Sequence, residues 1–286
     1  MKCNNYIAII KIVIIILFIY LLSYYLLSIK KEGFTTETNI SSKKIAIITA
    51  IYGKYEILKN YSNVFNYERA DWYCFTDGDI ENNDFPWKII KTPYHLNIDD
   101  SSLKNSYSNI NDEKVKNMMS AKYYKTQTHK IDILKDYDYF IWIDGSLLLR
   151  DNFLNNVINL LENNSDYSIF NFKHSVRDNI KDEVYFCKDW QKYKDQDLET
   201  QYLTYKNDNF KDDWGLYELT SFYRKNIPEI NKIYDLWWYH NLCYSYQDQV
   251  SYPYVLWKLN TKPYIIKENV HNNDDFCYNK EHAIKW

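Results

Sequence analysis

The chain has 286 residues, of which 46% are hydrophobic and 26% charged, and carries a formal net charge of −3. That length supports one large domain or two small ones with a sizeable core, and the near-neutral charge argues against a nucleic-acid partner, which normally leaves a basic excess. Thirty tyrosines and nine tryptophans are unusual beside five glycines and five prolines; because Asn, Lys and Ile abound as well, this reads as compositional bias rather than a sugar-binding signal.

Residues 6–29 contain one charge, Lys11, and residues 12–29 (IVIIILFIYLLSYYLLSI) contain none. About 20 apolar residues cross a bilayer as a helix, and no small-residue cleavage site follows. The expected organisation is a short tail (1–5), a transmembrane signal anchor (6–29), a polar stem (30–43) and a domain (44–286). Lys2 before the span and Lys30 and Lys31 after it leave the orientation open by charge counting; the expectation is a single-pass type II protein of Golgi or endoplasmic reticulum with a lumenal domain. Cys3 lies beside the span. Cys74, Cys187, Cys243 and Cys277 show no metal-ligand spacing, and their pairing in an oxidising lumen is left open. Sequons stand at Asn39, Asn60 and Asn163.

Beyond the stem, KKIAIITAIYG is a short apolar run closed by Gly53, as expected of a buried parallel strand. A second strand lies in DWYCFTDGD (71–79) and a third in WKIIKTP (87–93). A polar loop, 97–111, precedes a helix in NDEKVKNMMSAKYYKTQTHKIDIL (111–134), capped by Asn111 or Asp112 with acids ahead of bases. A strand over 139–144, a helix over 151–163 and a strand in YSIFNFK (167–173) follow. Residues 182–206 read as helical, GLYELTSFYRK (215–225) as a turn into a strand, and PEINKIYDLWWYHNL (228–242) as a helix with Pro228 in its first turn. A helix over 248–259 and a strand in KPYIIKEN close the series. Alternating strands and helices indicate an α/β domain, Rossmann-like, around a mostly parallel sheet.

Open α/β sheets bind ligands at the carboxyl ends of their strands. Three strands end in polar groups: Thr49, then Thr76 with Asp77, then Asp144 with Ser146. Carboxylates among oxygen neighbours suit a hard divalent cation, Mg²⁺ or Mn²⁺, which in turn suits a diphosphate. DGD (77–79) has two acids, but ENND after it makes a solvated turn the plainer reading for Asp79. Asp144 interrupts an intensely apolar strand, where an idle carboxylate is expensive, and Gly145 permits close approach to the backbone.

YFIWIDGS, with upstream SAKYYK and THK, resembles a glycosyltransferase-like family of plant proteins of seed mucilage and pollen-tube turgor control, formerly a domain of unknown function. TAIYGKYEIL, CFTD, FKHSVRD with DE, GLYEL, WW and DQVSYPYVLWK follow in family order across about residues 44–260. The resemblance implies a GT-A-like fold and a membrane-anchored transferase moving a sugar from a nucleotide-diphosphate sugar to a glycan or glycoprotein hydroxyl. It places Asp144 at the metal- and donor-binding acid of an Asp-x-Asp motif, with Ser146 in place of the second carboxylate. It sets Thr49, Ala50, Tyr52, Asp77, Lys122, Gly145 and Ser146 at the nucleotide sugar, and Lys125, His129 and Lys130 in the same segment as Lys122. His174, Arg177, Gly215 and Glu218 fall on the acceptor side, Asp248 acts as catalytic base or acceptor-orienting acid, and His271, ahead of His282, is a second metal ligand beside Asp144.

Plainer roles stand beside these. His174 and Arg177 would hold a loop, Glu218 and Arg224 would form a structural ion pair, Trp237 and Trp238 would be core, and Asp248 would be a helix N-cap. The alternative for the whole chain is a GT-A-fold binding module with a decayed metal site. Nucleotidyl transfer or hydrolysis ranks lower, because there is no Gly-rich phosphate loop.

Overall fold

The structure is a computed structural model, and it describes residues 42–78, 80, 85–93, 113–194 and 196–279. The apolar segment 6–29, the stem up to residue 41, Cys3, Asn39, the 97–111 loop with both expected caps, Asp79 and His282 lie outside the described residues. Among the described residues no helix is long and apolar enough to cross a membrane.

The strands are β1 (Ile45–Ile51), β2 (Asp71–Thr76), β3 (Lys88–Lys91), β4 (Tyr139–Ile143), β5 (Leu147–Leu149), β6 (Ile169–Lys173), β7 (Tyr217–Lys225), β8 (Tyr264–Ile266) and β9 (Phe276–Tyr278). The helices are α1 (Glu113–Thr126), α2 (Phe153–Asn163), α3 (Ile180–Cys187), α4 (Leu198–Asn207), α5 (Pro228–Cys243) and α6 (Asp248–Lys258). Seven strands form one sheet in the order β3-β2-β1-β4-β7-β6-β8. β1 is parallel to both β2 and β4, β2 to β3, and β6 to β8. β7 runs antiparallel to both its neighbours, β4 and β6. The sheet is thus mostly parallel, as expected, with one reversed strand inside it.

The alternation of side chains along a strand makes this a three-layer domain. Ile45, Ile47 and Ile51 of β1 pack in one core with Phe153, Leu154, Val157, Ile158 and Leu161 of α2. Ala46 and Ile48 face the other core, built from α1 and α3 to α6. Trp237 is fully buried there between Phe222 and Tyr252, so the tryptophan pair in α5 serves packing, with Trp238 half-buried against Tyr123.

Two departures have local causes. The helix expected over 111–134 stops at Thr126 and continues as two 3-10 turns, Thr128–Lys130 and Asp132–Leu134; the Thr126 hydroxyl bonds back to the Lys122 carbonyl, a habit of Thr that competes with helix continuation. The helical reading of 182–206 separates into α3 and α4 around a turn, Gln191–Tyr193. β5 and β9 form a small antiparallel sheet of their own, too short to show a pattern in sequence. The four described cysteines are free thiols.

Candidate functional site

A cavity of about 1270 Å³ opens at the carboxyl ends of β1 and β4, where an α/β sheet binds ligands. Ala50, Tyr52 and Gly53 form its floor, Asp144, Gly145 and Ser146 its rim, and Lys122, Lys125, Lys192, Glu218, Asp248 and His271 stand in its walls. A second open cavity of about 1070 Å³, lined by Asn60, Arg150, Asp151 and other polar side chains beside β5, lies away from those strand ends.

β4 delivers Asp144. The strand ends at Ile143, and the Asp144 amide donates to the Thr220 carbonyl of β7 at 2.8 Å, which fixes the turn against the reversed strand. The Asp144 carboxylate accepts the Trp142 indole N–H at 2.5 Å and lies 3.6 Å from the Lys125 ammonium. Gly145 is required by close approach: a Cβ there would come within 2.9 Å of the Glu56 Cβ.

α1 supplies the cations. Lys122 and Lys125, three residues apart, share one face of the helix, and both reach the same Asp248 oxygen, at 2.7 and 3.0 Å. Asp248 opens α6, where a carboxylate is favoured by the helix dipole; Gln247, not Asp248, occupies the N-cap, and the carboxylate goes to the lysines. Burial pushes Asp248 up, but the two ammonium groups overcome it and hold the acid at about 2. Burial, only partly opposed by Asp248, brings Lys122 down to about 8. For Lys125 the balance reverses: Asp144 and Asp248 together outweigh burial and raise it. Lys192, in the turn between α3 and α4, is lowered by burial within electrostatic range of both Asp248 and Asp144.

Several expected residues stand elsewhere. Thr49 does not line the cavity; it is buried, and strand alternation puts it on the face of β1 shared with Ile47 and Ile51, which packs toward α2. Asp77 does not line it either, because both its oxygens accept the Gly53 amide at 3.1 Å and thereby hold the left-handed Gly53 turn, φ 63°. His174 is spent on its own loop: its Nδ1 accepts the amides of Val176 and Arg177, while burial lowers its basicity. Arg177 binds Glu183 at 2.6 Å and stacks on Phe186. Gly215, at φ 82°, is a left-handed turn residue ahead of β7, outside the lining. Glu218 does face the cavity, with His174 Nε2 at 3.6 Å and the Ser175 hydroxyl at 3.3 Å. Its proposed pairing with Arg224 does not form: Arg224 donates to Asn231 and Thr128 and is packed against Phe140 and Tyr234. His129 and Lys130 turn to Asp235.

Lys192, Tyr193 and Gln247 are cavity residues that the sequence reading did not select. Their signal is weak, since Lys192 lies in a run of alternating charges that reads as a solvated face. Three polar atoms of the lining, Asn117 Oδ1, Thr220 Oγ1 and Asp248 Oδ1, are buried without a hydrogen-bond partner among the described residues. Such atoms are costly when left unpaired.

Asp144 and His271 line the same cavity, but among the described residues no group of three His, Cys, Asp or Glu side chains is arranged to hold a divalent cation. Asp144 already receives an indole N–H and faces an ammonium, and Asp248 is saturated on one oxygen by two more. These residues do not build a metal centre.

No curated protein matches the chain. A family model does match, over residues 107–282, which takes in α1, Asp144, the reversed β7 and Asp248 but not β1 to β3. Over more than half its length, therefore, the chain belongs to the TOD1/MUCI70 glycosyltransferase-like domain family.

Proposed function

We propose that this protein is a membrane-anchored glycosyltransferase that moves a sugar from a nucleotide-diphosphate sugar to a hydroxyl of a glycan or glycoprotein, with the segment 6–29 as anchor and the domain in the lumen. The observation that carries this reading is the lysine-walled cavity at the strand ends, rimmed by Asp144, in a chain of a glycosyltransferase-like family. Sugar transfer from such a donor develops negative charge on the departing diphosphate, and fixed positive groups at that point lower the barrier. Asp144 and Ser146 face the sugar-bearing end, and Ala50 and Tyr52 the nucleoside.

Asp248 orients groups in this scheme and does not take a proton. A carboxylate held at about 2 by two ammonium groups is far too acidic for a general base at neutral pH. Glu218, on the same wall and braced by Ser175 and His174, faces the acceptor. It deprotonates the acceptor hydroxyl if the reaction inverts configuration, and only positions it if configuration is retained.

The test is product analysis by mass spectrometry after incubating the full-length chain, in detergent, with UDP-sugars and GDP-sugars and a panel of glycans. Transfer is expected, with loss on Asp144→Asn. Donor binding without any turnover would instead establish the binding module, which the replacement of a second carboxylate by Ser146 would explain. Release of free phosphate without transfer would refute the reading.

A further inference from the structure

Three ammonium groups and two carboxylates meet on one wall of the cavity. Lys122 and Lys125 both contact Asp248, Lys125 also faces Asp144 at 3.6 Å, and Lys192 lies within electrostatic range of both acids. Lys122 and Lys125 are almost wholly buried, at 12% and 6% side-chain exposure. Lys192 makes no ion pair among the described residues. Of the other acids of the lining, Glu113 stands in the first turn of α1, about 18 Å along the helix from Lys125 at 1.5 Å per residue, and Glu218 is held by Ser175.

Among the described residues the three lysines and two acids leave one excess positive charge, and Lys122, Lys125 and Asp248 are withdrawn from water. A buried, incompletely paired cation is unfavourable, and the usual resolution is an anion that belongs to the site. Two further facts define that anion. The lysines lie along one helix face and an opposing turn, so they present several ammonium groups to one object, which suits an anion with more than one charged centre. Asp248 fixes Lys122 and Lys125 through a single oxygen, leaving their remaining N–H donors for other acceptors. The arrangement does in protein side chains what a divalent cation does for a diphosphate, and among the described residues the same cavity lacks the donor set such a cation needs.

We propose that Lys122, Lys125 and Lys192 are the diphosphate-binding group of this cavity and that they work without a divalent metal. This rests on the donor reading given above. Asp248 is the positioning residue: it holds two of the lysines in place and prevents their mutual repulsion from opening the wall. Asp144 then remains available to the sugar rather than to a metal.

The experiment uses the full-length chain in detergent and inorganic pyrophosphate as the probe, titrated calorimetrically in excess EDTA and again with Mn²⁺ in place of EDTA. UDP and GDP are titrated in parallel, and Mn²⁺ is titrated alone. Saturable pyrophosphate binding in EDTA is expected, weakened about tenfold or more by Lys192→Gln, as for loss of a charge-assisted contact, and less by Lys192→Arg. Lys192 pairs with no acid among the described residues, so its variants should retain the wild-type circular dichroism and melting midpoint; Lys122→Gln gives a second reading if they do not. Mn²⁺ alone is expected to give no saturable heat. Pyrophosphate binding that appears only with Mn²⁺ would overturn the inference while leaving the glycosyltransferase reading intact. Absence of pyrophosphate, UDP and GDP binding in both conditions would overturn the inference and the donor site together. Unchanged affinity in folded Lys192→Gln and Lys122→Gln would remove these lysines from the site.

Discussion

Replacing Asp248 by Asn isolates the charge pairing at the centre of the cavity while keeping size and shape. In the native protein the carboxyl group lies at about 2 against an ordinary 3.8, a difference that corresponds to about 2 kcal/mol in favour of the charged form. The variant also strands two buried lysines, and breaking a buried pair from one side typically costs about 3–5 kcal/mol. An overall loss of about 3 kcal/mol at pH 7 follows. The pH dependence has a definite sign. Lys122 stands at about 8 folded against 10.5 ordinarily, so between those values the unfolded chain binds more protons and stability rises with pH. Facing Lys122 are Asp248 from α6, Lys125 from α1 and Lys192 from the turn before α4. Without Asp248 the Lys122 pKa falls further, so that by pH 9.5 Lys122 is neutral in both proteins. The deficit should therefore narrow between pH 7 and 9.5 without vanishing, because Lys125 is raised and still charged there. On the acid side, the contribution of Asp248 is complete above about pH 4 and disappears as pH falls through about 2. Urea unfolding of the full-length chain in detergent, followed by tryptophan fluorescence at both pH values, measures this. Equal midpoints at pH 7, or a deficit independent of pH, would refute the pairing.

Gly145→Ala should cost about 1–3 kcal/mol, since its Cβ would come within 2.9 Å of Glu56, and should weaken donor binding by moving the rim; thermal melting together with UDP titration checks both. Trp237→Ala should cost about 3–5 kcal/mol without changing which sugars bind, because the ring is fully buried behind the cavity; a sugar-selective effect in a folded variant would contradict a packing role. Cys187, pushed up to about 12 by burial and by Glu183, should resist iodoacetamide at pH 8 until the chain is unfolded, as mass spectrometry of the alkylated peptides would show.

Legibility in the sequence followed burial. β1, β2 and β4 were readable because both faces of a central parallel strand are apolar and turn residues bound the run, and Asp144 was readable because it breaks such a run. The reversal of β7 was not, since GLYELTSFYRK has the same pattern in either direction and only its pairing with β4 and β6 decides. Asp77 and Thr49 show the limit of reasoning from strand ends: both stand near the right rim, but one carboxylate closes a backbone turn and the other side chain is buried on the strand face that packs toward α2. The site lysines were partly legible. Lys114, Asn117, Met118, Ala121, Lys122 and Lys125 all line the cavity, recurring at the three- and four-residue spacing of one helix face. A polar stripe at that spacing ordinarily marks the solvent side of a helix, and nothing local distinguishes it from a stripe that faces a cavity. Long-range placement of Asp248, far along the chain, is what turns it inward.

That placement also gives Lys122 and Lys125 different duties. Lys125 bridges Asp144 of the sheet rim and Asp248 of α6, and two acids keep it charged. Lys122 has one acid and lies at about 8, so near that pH its charge responds to whatever enters. A bound diphosphate adds negative charge beside it, favours the ammonium and raises its pKa. Binding at pH 8 must then take up a fraction of a proton, whereas at pH 6 Lys122 is already charged and takes up none. Calorimetric titration of a UDP-sugar, whose diphosphate diester has no proton to exchange between pH 6 and 8, in buffers of different ionisation enthalpy reads this directly: the observed heat should depend on the buffer at pH 8 and not at pH 6. A heat independent of buffer at pH 8 would mean that the diphosphate does not meet Lys122. Equal dependence at both pH values would assign the proton to a group other than Lys122.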